Sequence, residues 1–348
     1  MSKVGNILGL DIGGANIKLS TSDGQYVRTI VFSMWSQYSE LANTISKLLG
    51  EYQNSHGTPQ ALAITMTGEL ADCFQSKCDG VVHISNAVLE AAQGIDEIWF
   101  YKTGGDWCTA RDAESQWPTL AASNWHAMAQ YCGQAIPKGT HIVVDIGTTT
   151  TDIIPLSNGK VATEATDDIS RLQQGQLVYC GVERTSLSSL VSDLLIDGIV
   201  TPVARELFAT TLDTFLLTGE IPERPSDRNT ADGHSVSKEA AHRRMARLIC
   251  QCPELLSESQ TQQMAQQTRN AVVQLLSSAL RQVTAEMTLP VDSIIAVGQG
   301  TFLLSDIASG ITIRQLHNLH PEGCDNLARI GPAFAVAVLL ERHLRMNK

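Results

Sequence analysis

Two short acidic turns stand at matching points of the two halves of this chain, Asp11-Ile12-Gly13-Gly14-Ala15-Asn16-Ile17-Lys18 and Asp145-Ile146-Gly147-Thr148-Thr149-Thr150-Thr151-Asp152. Each ends an apolar run in one aspartate and then bends on Gly or Thr, which leaves successive backbone N–H groups open to an anion. Phosphate is the ligand such a pair suggests. Gly13, Gly14, Asn16, Gly147, Thr148, Thr149 and Thr150 are the candidate contacts, with Lys18 as a cation for a phosphate oxygen. The plainer alternatives are a turn-forming Asn16, threonines that merely favour strands, and a solvated Lys18. A second reactive stretch follows the apolar run 61–64, where Thr67, Glu69, Asp72 and Lys77 fall at a position from which loops of α/β proteins face a cleft.

The elements that must position these groups alternate. Runs 7–11, 17–21 and 29–33 read as a three-strand meander, followed by a helix carrying Leu41, Ile45, Leu48 and Leu49 on one face. Asp23-Gly24 and Asn158-Gly159 are hairpin signals at equivalent points after the two turns. Residues 61–65 and 97–101 read as buried strands and 119–131 as a helix. The second half opens near Pro137-Lys138-Gly139. Its polar middle, about 202–258, reads as an inserted helical subdomain broken at Pro222 and Pro225. Residues 268–286 place Val272, Leu275, Leu276, Ala279, Leu280 and Val283 on one helical face; a strand at 293–297 then ends in Gly298-Gln299-Gly300-Thr301. The expected architecture is a two-domain α/β fold with a central cleft: 1–136 completed by a final helix at 330–348, and 137–329.

The chain has 348 residues with 25 basic and 36 acidic side chains, a net charge of −11 with no long basic tract, so nucleic acid is not an expected partner. A phosphorylated small molecule must then be held by local amides, a few cations and Mg²⁺. No charged leader or apolar run of membrane-spanning length is present, so a cytoplasmic location is expected and a membrane is not. Any assembly beyond the monomer is expected to be a homodimer. The eight cysteines, Cys324 among them, form no Cys-x-x-Cys pair and read as reduced thiols; the run His242-Arg243-Arg244 reads as a solvated helix face.

The paired Asp-x-Gly turns, the late Gly298-x-Gly300 after a strand and Gly331-Pro332-Ala333 opening a helix resemble the sugar kinase, heat-shock 70 and actin superfamily, in its hydantoinase/oxoprolinase-like branch. Further stretches are similar to a family linked to tetrahydromethanopterin-dependent one-carbon transfer: Thr65-Met66-Thr67-Gly68-Glu69-Leu70-Ala71-Asp72, Ser123-Asn124-Trp125, Gly181-Val182-Glu183-Arg184-Thr185 and Thr230-Ala231-Asp232-Gly233. The resemblance implies a duplicated actin-like ATPase fold and alkyl transfer in the making of a methanofuran-type cofactor. A furfuryl diphosphate would be joined to the phenol of a tyramine or tyrosine, and pyrophosphate released.

That chemistry gives the candidate residues roles. Asp11 and Asp145 would place Mg²⁺, unless each only caps its turn, and Asp152 would hold metal or water or brace the fold. Gly298 and Gly300 join the phosphate set. Glu69 or Asp72 would take the phenol proton, unless they form a helix-start pair of carboxylates. Thr67, Lys77, Arg171 and Arg184 would bind substrate, the arginines by clamping a carboxylate or, alternatively, by bridging domains. Trp99, Trp107, Trp117 and Trp125 would stack on a furan or phenol or belong to the core. Gln299 interrupts the Gly-Gly pair on which ATP-using relatives lay adenine, so ATP binding is in question. Cys180 and His234 are smaller departures from the family pattern. An ATP-dependent kinase or hydantoinase-like amidohydrolase, and a non-catalytic nucleotide-binding protein, stay open as alternatives.

Overall fold

A computed structural model of the chain describes residues 6–319 and 327–347; Cys324 lies outside the described residues. The first sheet holds β1 (Ile7–Ile12), β2 (Asn16–Thr21), β3 (Val27–Val31), β4 (Ala61–Met66), β5 (Glu97–Tyr101) and β6 (Trp107–Cys108), in the order β3-β2-β1-β4-β5-β6. The second is built from β7 (Thr140–Ile146), β8 (Thr151–Ser157), β9 (Lys160–Val161) and β10 (Leu177–Val178). After a separate hairpin, β11 (Asp193–Ile196) with β12 (Ile199–Pro202), it is completed by β13 (Ser293–Gly298) and β14 (Thr312–Gln315). Its order, β10-β8-β7-β13-β14 with β9 on β8, repeats that of the first. In both, the strand that ends in aspartate pairs antiparallel with its hairpin partner and parallel with the strand arriving from a crossover helix.

The central strands are buried on both faces, which is why β1, β4 and β13 read as unbroken apolar runs rather than as alternating ones. Helices Leu41–His56 and Lys77–Ala91 cover the outer face of the first sheet, and Glu258–Glu286 covers that of the second. Two further helices, Asn124–Ala135 and Leu327–Met346, fill the space between the sheets. The closest approach falls at Gly9, where a Cβ would stand 1.9 Å from the Ala333 carbonyl oxygen. No helix among the described residues is long and apolar enough to cross a membrane.

Several expectations need correction. The helix expected over 119–131 is two helices, Ala113–Leu120 and Asn124–Ala135, separated where Ala122 takes a φ of 49°. The long helix starts at Glu258, and Leu275 lies on its exposed side. Asn158-Gly159 does close a two-residue hairpin with both residues at positive φ, whereas Asp23-Gly24 sits in a longer loop with the Asp23 carboxylate capping it. Arg244 is not on a solvated face. It is fully buried, with its guanidinium 2.6 Å from Asp213 and 3.0 Å from Asp232, and this ion pair ties helices Thr211–Thr218 and Lys238–Leu248 to the Thr230–Gly233 turn.

Candidate active site

The parallel register of β1 with β4 brings Gly13 alongside Thr67 and Gly68, whose N–H groups both donate to the Ile12 carbonyl. Across the cleft β7 ends at the second turn. Both turns close in the same way: the Gly13 N–H donates to Asn16 O at 2.9 Å, and the Gly147 N–H to Thr150 O at 2.9 Å. Their carbonyls are tied outward. Gly14 and Ala15 accept from Met34 and Phe32, while Thr148 accepts from both Glu183 and Arg184. The N–H groups of Gly14, Ala15, Thr148 and Thr149 make no hydrogen bond among the described residues. Two nests of free amides thus face each other across a polar cavity of about 130 Å³.

Asp11, Lys18, Asp145 and Asp152 also line this cradle. Register explains their grouping, because Asp11 opposes Lys18 across the first hairpin and Asp145 opposes Asp152 across the second. Lys18 Nζ stands 3.4 Å from Asp11, yet burial still raises the Asp11 pKa, and Asp11 Oδ1 is buried with no hydrogen-bond partner. Burial, reinforced by the Asp152 charge, pushes Asp145 up to about 7. Asp152 is ion-paired with Arg171. No three acidic, histidine or cysteine side chains among the described residues are placed to cage a metal by themselves. Mg²⁺ does not require such a cage, since it commonly takes one or two carboxylates and completes its shell with phosphate oxygens and water. The orphaned Asp11 Oδ1 and the raised Asp145 fit that donor set.

Beside the cradle, sharing Gly14, Ala15, Thr149 and Thr150 with it, opens a larger cavity of about 760 Å³. Glu69 lies in its wall, 1% exposed, with Oε2 unpartnered. Burial raises its pKa to about 7, with Asp168 adding to the rise and Lys77 opposing it. The segment 67–76 is a loop, not a helix start, because helix Lys77–Ala91 begins only after the Ser76 cap. Gly80 lets that helix press onto Glu69, since a Cβ there would lie 2.4 Å from the Glu69 carbonyl oxygen. Asp72 lines the same cavity but is exposed.

Other candidates are placed differently from expectation. Lys77 is held by Asp168 at 2.5 Å. Arg171 is buried, stacked 4.3 Å over the Trp125 ring and paired with Asp152, so its charge is already engaged. Gly300 packs on Ile146 and Val182 outside the cradle. Gly298, at a φ of 85°, passes so close to Asp145 that a Cβ would stand 2.4 Å from its Oδ1. None of Trp99, Trp107, Trp117 and Trp125 lines the large cavity; Trp35, unassigned by sequence reasoning, does. Asn124 was also missed, and it lines both cavities. Its signal was the Ser123-Asn124-Trp125 stretch: Ser123 Oγ is 2.8 Å from Thr65 Oγ1 of β4, and the break before it aims Asn124 at the cleft.

A family model described as hydantoinase/oxoprolinase matches residues 60–338. The chain is 31% identical over 340 residues to the (4-{4-[2-(gamma-L-glutamylamino)ethyl]phenoxymethyl}furan-2-yl)methanamine synthase of Methanocaldococcus jannaschii, covering 97% of this chain and 98% of that protein. It is 30% identical over 220 residues to the synthase of the same name from Methanococcus vannielii, covering 62% of this chain and 97% of that one. Among solved structures, nucleotide-free acetone carboxylase superposes with a TM-score of 0.55 at 11% identity, over 96% of this chain and 70% of that chain, a likeness of fold.

Proposed function

The chain belongs to the hydantoinase/oxoprolinase family, and on that footing we propose that it is a transferase of methanofuran-type cofactor biosynthesis, joining a furfuryl diphosphate to a tyramine- or tyrosine-type phenol. The observation that carries the reading is the continuity of two sites. An amide-lined cradle for a diphosphate opens directly into a cavity that holds a buried carboxylate. In this reading the phenol oxygen attacks the furfuryl carbon, the carbon–oxygen bond to diphosphate breaks, and the bonding pair leaves on pyrophosphate. The phenol proton passes to Glu69. A base whose pKa lies near 7 is well matched to neutral pH, and its water-poor setting strengthens the transfer.

The free N–H groups of Gly14, Ala15, Thr148 and Thr149 hold charge as it develops on the leaving oxygens, and Lys18 adds a cation at the same edge. Asp11 and Asp145 are the carboxylates that would hold Mg²⁺ together with diphosphate oxygens, and that positive charge would ease departure of the pyrophosphate. We place the enzyme in the cytoplasm, where its free thiols would stay reduced.

A second reading, ATP-dependent chemistry, draws on one feature: a polar cavity of about 240 Å³ beyond the cradle, bordered by Gly298 and Gln299. One experiment separates the two. Purified protein is incubated with Mg²⁺, an aminomethylfurfuryl diphosphate and γ-glutamyltyramine, without nucleotide. The expected result is the furfuryl aryl ether with one pyrophosphate per ether. Product that forms only when ATP is added and hydrolysed would reverse the assignment.

A further inference from the structure

Of the exposed large apolar side chains, Trp35 (44% exposed), Leu70 (50%) and Tyr179 (57%) come from three separate segments and meet at one cavity, the 760 Å³ space beside the cradle. Trp35 sits in a four-residue helix after the first hairpin, Leu70 in the loop after β4, and Tyr179 just after β10. Three exposed apolar surfaces converging on a cleft suit a flat ring, since an aromatic ligand gains both area burial and ring–ring contact there. The charges around them are not all satisfied. Asp152 and Asp168 are engaged by Arg171 and Lys77, but Asp72 and Arg184 form no ion pair among the described residues. The Arg184 guanidinium lies 5.0 Å over the Trp35 ring, so the cation is held at the edge of the aromatic platform.

We propose that Trp35 and Tyr179 form the acceptor platform and that Arg184 and Asp72 read the far end of the acceptor, selecting a phenol that ends in an α-amino acid group. Arg184 takes the carboxylate in a charge-assisted pair and Asp72 takes the ammonium. Bare tyramine offers only the ammonium. The proposal rests on the transferase reading for its orientation, with the phenol toward Glu69, but it is tested by binding alone.

Calorimetric titration in the presence of Mg²⁺ and pyrophosphate compares four probes: γ-glutamyltyramine, tyrosine, tyramine and 4-methylphenol. The wild type is expected to bind the first two at least ~10-fold tighter than tyramine, the scale of one charge-assisted hydrogen bond. Arg184→Gln should erase that ratio while leaving tyramine unchanged. Asp72→Asn should weaken the three ammonium-bearing probes and spare 4-methylphenol. Trp35→Ala should weaken all four, with Trp35→Phe restoring most of the loss. Pyrophosphate affinity stays at the wild-type value throughout. Equal wild-type binding of tyrosine and tyramine, or a ratio untouched by Arg184→Gln, overturns the proposal. If the selectivity holds and no ether ever forms, the transferase reading fails and the subsite stands.

Discussion

The two hairpins of the cradle share a backbone and differ in charge. Each turn is closed by one Gly N–H bonded to a carbonyl three residues on, each presents two free amides, and each follows an aspartate at the end of a central strand. Across the first hairpin that aspartate meets Lys18, so the pair is neutralised within eight residues. Across the second it meets Asp152, and the compensating cation, Arg171, comes from a separate helix and is braced on Trp125. The turn geometry that leaves two amides free is retained in both copies. The charge balance is free to diverge, self-contained in one half and dependent on tertiary structure in the other.

The largest expected effect lies outside both hairpins and separates gripping from chemistry. Glu69→Gln keeps shape while removing the proposed base, so turnover should fall by ~10²–10⁴-fold, with pyrophosphate affinity unchanged by calorimetry. A variant that turns over at the wild-type rate would leave Glu69 without a role. Next comes the asymmetry itself. Arg171→Met leaves Asp152, only 13% exposed and beside Asp145, without its partner and should cost roughly 3–5 kcal/mol of stability in denaturant titration. Lys18→Met likewise strips a buried carboxylate, Asp11, of its cation and should cost a comparable roughly 3–5 kcal/mol, but it should also weaken pyrophosphate binding, which Arg171→Met should spare. Pyrophosphate binding weakened equally by the two would show that the hairpins are electrostatically alike after all.

A smaller effect compares the two strand-end aspartates that line the cradle. Asp11→Asn and Asp145→Asn should each reduce the Mg²⁺-dependent rise in Tm caused by pyrophosphate, by roughly equal amounts. A rise that survives in both variants would remove them from metal placement. The smallest is a pH dependence. The folded-state pKa of Glu69, about 7, lies above the ordinary 4.5, so neutral Glu69 contributes its stability fully below about 4.5, and that contribution is lost as pH rises through 7. Glu69→Gln has nothing to lose there. Its Tm relative to wild type should therefore climb by a few degrees between pH 5 and 8, and a flat difference would mean that Glu69 titrates normally.

The cradle was legible because its parts are local: an apolar strand, an aspartate and a Gly/Thr turn lie within ten residues, twice. Strands at 97–101 and 293–297 were equally plain, each lying next to a breaker, although only the second is buried along its whole length; Glu97 at the start of the first is exposed. What failed was whatever depends on contacts distant in sequence. Arg171 and Lys77 look like free cations until Asp152 and Asp168 fold against them. Arg244 sits in a polar run and is nonetheless buried, because Asp213 and Asp232 come to meet it. Trp35 was passed over for four other tryptophans because nothing in its neighbours tells that it will end beside a cavity lined from the other half. The Ala122 break was hidden by a helical pattern that reads straight through it.

The final helix, with Ala333, Val336, Ala337 and Leu340 buried, lies against the face of the first sheet that carries Gly9 and Ala61. On the ribosome that face is made more than two hundred residues before the helix that covers it. Synthesis runs at ≈ 5–20 residues per second, so the apolar inner side of β1 and β4 stands open for tens of seconds while more than two hundred residues are added. Until residues 327–346 emerge, that apolar side depends on provisional burial by the rest of the chain.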